Sequence, residues 1–223
     1  MVCFAILAIS LSSVVNCSEM NGFQFERTFM PYSGYCIVQT NDGGYAIAGQ
    51  QASLPQAPFH NFSLSASLIK LNASGFLEWS RTYDNSVGGG FIALSVLKTS
   101  DSGFVLIGLQ NSYGSALVFI LKTDAVGKVQ WNKLIAWPDN TYLCTGIQTS
   151  DQSYLLAGTS MNKNVPNSYG WLLKTDIYGN QMWNKTFTAP RFEPQSYVDA
   201  KFVMEDSGNY LLAGKALLGR CWQ

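Results

Sequence analysis

The segment LKTDIYGNQMWNK, residues 173–185, occurs again as LKTDAVGKVQWNK at 121–133 and, in altered form, as IKLNASGFLEWSR at 69–81. Lys70, Gly75 and Trp79 return as Lys122, Gly127 and Trp131 and once more as Lys174, Gly179 and Trp183, each set 52 residues from the next. A fixed period of this length marks a supersecondary unit that cannot bury its apolar face alone and must stack on its neighbours. No fold lacking three equivalent units can satisfy it.

A second pattern interleaves with the first. TNDGGYAIAG (40–49), TSDSGFVLIG (99–108), TSDQSYLLAG (149–158) and MEDSGNYLLAG (204–214) are versions of one turn between apolar runs. β-rich runs around an Asp-Gly turn predict a hairpin. Asp42, Asp101, Asp151 and Asp206 are expected in these turns, accepting backbone N–H bonds, with the glycine supplying a positive φ. The Lys-Gly-Trp segment is a second hairpin, with Asp124 and Asp176 in its turn and Asn72 replacing them. Each unit is thus two hairpins, or four antiparallel strands. No helical period competes.

Four strands per repeat of roughly 40–50 residues predict a β-propeller blade. The Trp recurs because one large ring per blade can fill the gap between twisted neighbouring sheets. The expected fold class is all-β, a β-propeller of four-stranded antiparallel blades with a period of about 52 residues. It has three full blades (33–83, 88–135 and 140–188) and partial blades at each end. One partial blade spans 196–223; the other is a strand at 22–30, where FQFERTF resembles the Trp-bearing strands with Phe25 in the Trp place. That strand belongs to a preceding blade or closes the final one. The chain is then a fragment of a longer propeller or a closed four-blade ring.

These residues carry a resemblance. LKTDAVGKVQW is similar to the repeat of quinoprotein-like (PQQ-like) propellers, and T-x-D-x-G-[YF] to the hairpin box of sialidase-like propellers. The chain most resembles secreted bacterial and archaeal β-propeller repeat proteins, mostly uncharacterised, over about residues 22–214. The resemblance implies the fold. It implies no quinone or other cofactor, because the Asp-to-Gly spacing is one residue shorter than in the quinoprotein motif and no cofactor constellation is present.

Composition narrows the function class. Hydrophobic residues make up 47% and charged residues 13% of the 223, against about 25% charged in typical domains. Net charge is zero and no basic run exists, so nucleic acid is not the expected partner. The apolar opening MVCFAILAISLSSVV is shorter than a membrane span. It reads as a secretion signal, residues 1–17, followed by the repeat domain at 18–223. An N-terminal strand or a misplaced start codon are the other readings, and no Lys or Arg precedes the run. Cys17 stands where a lipoprotein carries its acylated Cys, but Asn16 precedes it instead of a small residue. Removal of Cys3 leaves Cys17, Cys36, Cys144 and Cys221, which allow three pairings; Cys36 and Cys144 lie in strand-like runs and read as buried thiols. Sequons at Asn16, Asn61, Asn72 and Asn184 suit an exported surface protein.

Candidate chemistry is sparse. His60 is the single histidine, whereas a catalytic triad needs an oriented His and a zinc site several ligands. Asp84, Asp139, Glu193 and Asp199 are the carboxylates left over for a glycosidase pair or Ca²⁺. Lys70, Lys122 and Lys174 are expected to pack along the sheet with the amine near the turn residue two on, an Asp in two of the repeats, the alternative being an anion site in a channel. Arg81, Lys133 and Lys185 guard an outer edge. The loops PQAPFHNF and APRFEPQSY suggest recognition, with Phe59, Phe62, Trp137, Phe192 and Tyr197 as contacts. The expected function is a non-enzymatic binding, adhesion or scaffold module, secreted or at the cell surface, for a glycan or protein partner. The alternative is a fragment of a carbohydrate-active or other propeller enzyme whose catalytic residues lie elsewhere. No catalytic, cofactor or metal residue is assigned.

Overall fold

The computed structural model describes residues 5–8, 14–17, 26–52, 64–84, 90–112, 115–136, 140–161, 168–188, 197–206 and 208–217. All of the described secondary structure is β. The first four-stranded sheet is β4 (Tyr32–Gln39), β5 (Tyr45–Ala52), β6 (Leu64–Leu71) and β7 (Leu77–Tyr83). The second is β8 (Gly90–Lys98), β9 (Phe104–Ser112), β10 (Ser115–Thr123) and β11 (Val129–Ile135). The third is β12 (Asn140–Gln148), β13 (Tyr154–Met161), β14 (Ser168–Thr175) and β15 (Gln181–Phe187). In each the strands pair antiparallel in chain order. This is the two-hairpin unit read from the 52-residue period.

Shorter sheets lie at either end. β1 (Ala5–Ala8), β2 (Val14–Cys17) and β3 (Glu26–Thr28) form one of three strands. β16 (Tyr197–Asp206) and β17 (Asn209–Leu217) form one of two. β3 falls within the strand expected at 22–30 and pairs with β2. Within the apolar opening, residues 5–8 and 14–17 form β1 and β2.

Burial explains why third strands are continuously apolar while fourth strands alternate. β6, β10 and β14 are covered on both faces, so ASLI, VFIL and WLL have no wet side. β15 is exposed along nearly its whole length except at Trp183. The core is laminar, one layer between each successive pair of sheets. Ala46, Ala48, Ala66 and Leu68 of the first sheet meet Ala93, Val96 and Phe119 of the second. Residues of opposite parity in the second sheet, Val105, Ile107 and Ile120, meet Leu156, Trp171 and Leu173 of the third. A thinner layer, Leu155, Ala157 and Leu172 against Val203, joins the third sheet to β16–β17.

The first strand of each sheet crosses the one before: β8 packs on β4, β5 and β6, β12 on β8, β9 and β10, and β16 on β12, β13 and β14. Bulges recur at matching places. The third strand shifts register at Lys70/Leu71, Lys122/Thr123 and Lys174/Thr175. The first strand shifts at Gly34/Cys36, Ala93/Ser95, Thr141/Leu143 and Ala200/Phe202. Such bulges add local twist, which sheets stacked about successive first strands require. Among the described residues no helix is long and apolar enough to cross a membrane.

Candidate functional site

The recurrent residues resolve into two devices. In the first, Lys70, Lys122 and Lys174 sit directly across the strand pair from Trp79, Trp131 and Trp183. Cross-strand partners share a face, so the spacing in sequence is a spacing on one surface. Each ring then meets an aromatic residue at or next to the start of the second strand of the next sheet. Trp79 lies 6.2 Å from Phe104, Trp131 6.1 Å from Tyr154 and Trp183 5.9 Å from Tyr210, centroid to centroid. All three fall in the favourable range for tilted or edge-on pairs, roughly 4.5–7 Å. The recurrent glycine rests on the same ring from the next sheet. A Cβ at Gly127 (φ +78°) would come within 2.9 Å of Trp79 Cζ3, and one at Gly179 (φ +76°) within 2.7 Å of Trp131 Cζ3. The stems of Arg81 and Lys133 flank these glycines at 2.8 and 3.0 Å from the same points, so their packing adds to the edge-guarding role expected of them. Tyr83 completes the first joint by donating to the Gly127 carbonyl at 2.8 Å, and burial pushes its phenol pKa up.

The second device is an ion pair beneath each first-hairpin turn, and here the structure corrects the expected partner. The lysine amines do not turn to Asp124 or Asp176, two residues on. Lys70 Nζ donates to Asp42 Oδ2 at 2.8 Å, Lys122 to Asp101 Oδ2 at 2.8 Å and Lys174 to Asp151 Oδ2 at 2.7 Å. The lysines are buried, while the carboxylates stay about half exposed. Oδ1 of the same Asp accepts the N–H of Gly44 (3.0 Å), Gly103 (3.1 Å) or Ser153 (3.1 Å). It also accepts the hydroxyl of Thr40, Thr99 or Thr149. The T-x-D motif is therefore a lock between first turn and third strand. The lysine bonds hold the Asp42 and Asp151 carboxyls far below the usual range. At Asp101 burial opposes ionisation, but Lys122, Thr99 and Gly103 outweigh it and set the pKa at about 2. Burial also works against the charged amines of Lys70 and Lys174, yet their acceptors raise both. An anion site at these lysines is not what the geometry offers, since a carboxylate of the chain already holds each.

Two further expectations change. The positive φ lies one residue before the position held by Gly44, Gly103 and Ser153, at Gly43 (78°), Ser102 (65°) and Gln152 (67°). Gly44 and Gly103 are small for another reason: a Cβ would lie 2.2 Å from the carbonyl oxygen of Leu71 or Thr123. Asp206 is not the fourth member of the set. It ends β16 and pairs with Asn209 across a turn one residue shorter, so it occupies the Thr rather than the Asp position. In the second hairpin Asn72, Asp124 and Asp176 do cap the turn, each Oδ1 accepting two backbone N–H groups at 2.8–3.0 Å.

Asp84 is exposed after β7, and Asp199 lies in β16. Phe59, His60, Phe62, Trp137, Asp139, Phe192 and Glu193 lie outside the described residues, and Tyr197 is placed only as the first residue of β16. Cys36 is a free, half-buried thiol against the first inter-sheet layer.

A depression of about 470 Å³ opens where the ends of β4, β8 and β12 converge beside the first-hairpin turns. Val38, Val96, Leu97 and Ile147 form its apolar part; Asn41, Lys98, Ser100 and Gln148 supply polar groups. A bond between sheets braces it, the Ser100 N–H donating to Gln148 Oε1 at 3.1 Å; at the next joint Ser150 N donates to Glu205 Oε2 at 2.7 Å. This site escaped the sequence reading, although a signal was present. The residue just before each turn varies, as Gln39, Lys98, Gln148 and Glu205, while the motif after it keeps its form in the three full repeats.

No family model matches the chain, and no curated protein matches it. Among solved structures it is similar to a protein of unknown function from Bacteroides caccae, with a TM-score of 0.54 and 10% identity over 94% of this chain. The chain spans 63% of the length of that protein. At such identity the likeness concerns the fold alone: an all-β chain of stacked antiparallel sheets.

Proposed function

We propose that the chain is part of a β-propeller of quinoprotein-like repeat type, secreted or held at the cell surface, and that it serves as a non-enzymatic binding module. The 52-residue period and the sheet-over-sheet joints support a propeller arrangement. The braced depression at the ends of β4, β8 and β12 carries the binding reading. It combines an apolar floor with a few polar groups on rigid strands, the usual make-up of a small-molecule or glycan site. The acidic side chains of the three locked turns are engaged in holding those turns, which favours recognition over acid–base chemistry there. The partner is a glycan or a surface protein presenting a compact polar group.

The test is a glycan array probed with the full chain, followed by turnover assays on every ligand found. Saturable binding without turnover, weakened by substitution at Asn41 or Gln148, is the expected result. Hydrolysis of a bound glycan would contradict the binding-module reading and favour an enzyme.

A further inference from the structure

The depression contains one formal charge, and its sign selects a ligand. Lys98 contributes an exposed amine to a cleft whose lining includes no carboxylate. Its situation is unlike that of Lys70, Lys122 and Lys174, which are buried and each held by an Asp at 2.7–2.8 Å. Among the described residues no carboxylate lies within ion-pairing distance of Lys98. The equivalent positions in the other sheets carry Gln39, Gln148 and Glu205. Glu205 is already taken, accepting from Ser150 N at 2.7 Å and Ser150 Oγ at 3.1 Å. Gln148 is engaged as well, its Oε1 accepting from Ser100 N at 3.1 Å and its Nε2 donating to the Gln152 carbonyl at 3.3 Å and Gln152 Oε1 at 3.4 Å. The repeat therefore breaks its own symmetry at the cleft and, among the described residues, places there a lysine that forms no ion pair.

We propose that this depression binds a carboxylate-bearing ligand about one sugar ring in size, of the uronic-acid class, with Lys98 as counter-ion. The inference rests on the binding-module reading and adds the ligand's charge to it. Lys98 Nζ pairs with the carboxylate. The Asn41 amide, exposed and with no partner among the described residues, hydrogen-bonds ring hydroxyls. Val38, Leu97 and Ile147 take the apolar face of the ring. The volume, about 470 Å³, lies in the range of small-ligand clefts, roughly 300–1,000 Å³. An ion pair at an open cleft is screened, so affinity should fall as salt rises.

Amide NMR of the full chain, titrated with sodium glucuronate and in parallel with glucose, tests this. The two probes differ at C6 alone, carboxylate against CH₂OH. The expected result is saturable shifts at residues 96–100 and 147–148, with glucose at least 10-fold weaker. Lys98→Gln should weaken glucuronate at least 10-fold, and Lys98→Arg should restore most of it. Equal binding of both sugars, or glucuronate binding unchanged in Lys98→Gln, overturns the charge assignment and leaves the binding module standing. Glucuronate shifts confined to another surface overturn the site. Silence toward glucuronate overturns the inference, and the glycan array then decides separately whether the binding module falls with it.

Discussion

Lys122 and Asp101 form a pair whose two halves live in different solvents. The amine side chain is 6% exposed and the carboxylate 52%. Removing the carboxylate strands a buried charge, whereas removing the amine leaves an anion that water can reach. Asp101→Ala is therefore expected to cost about 3 kcal/mol and Lys122→Met about 1 kcal/mol or less, read from urea unfolding. Equal costs would mean that the lysine is not truly desolvated. The same pair sets an acid limit. The Asp101 carboxyl moves from 3.8 to about 2 on folding, so it favours folding only while ionised. Its contribution is complete above about pH 5 and is lost as pH falls toward 2; Asp42 and Asp151 shift the same way. The urea midpoint should drop across that window, and a flat profile would count against the locks. Glycines offer a finer contrast. Gly179→Ala meets both backbone strain and Trp131, while Gly208 (φ +81°) has nothing within 4 Å of an added methyl. Gly208→Ala should cost only the left-handed penalty, about 1–3 kcal/mol, and Gly179→Ala clearly more.

At the level of the element, the joint between sheets is a ring over a ring. Tyr154 is fully buried and its hydroxyl has no hydrogen-bond partner among the described residues, and burial pushes its pKa to about 12. Phe104 fills the equivalent place one sheet earlier. Tyr154→Phe is thus expected to be neutral or stabilising in thermal melts, since it removes a desolvated hydroxyl and keeps the ring. A loss above about 1 kcal/mol would mean the hydroxyl is bonded after all. The hairpins themselves were legible in sequence because turn residues and strand periodicity are local signals. Asn72, Asp124 and Asp176 cap their turns as read. The Lys–Asp lock was not legible. Lys122 reaches back 21 residues to Asp101, from the third strand to the turn before the second, a contact that no local residue pattern announces. Asp206 misled because its motif looks the same while its turn is one residue shorter.

Over the whole molecule, stacking makes stability close to a sum of sheet and joint terms. Burial then depends on having a neighbour on both sides. Leu155 is 0% exposed under β16, whereas Leu211, the same position one sheet on, is 51% exposed. Leu155→Lys should unfold the chain, while Leu211→Lys should stay within about 0.5 kcal/mol of the parent and improve solubility by charging an open apolar face. The depression was illegible for a similar reason. It is assembled from the ends of β4, β8 and β12, far apart in sequence, and only their convergence makes Lys98 a neighbour of Asn41 and Gln148.

The central claim is that evenly spaced Trp residues join each sheet to the next. A double-mutant cycle with Trp131→Ala and Tyr154→Leu, measured by urea unfolding, tests it most directly. Coupling of about 0.5–1.5 kcal/mol is expected for this pair and none for Trp131 with Tyr210, which lies one sheet further on. Additivity at Trp131 and Tyr154 would contradict the stacked-sheet architecture.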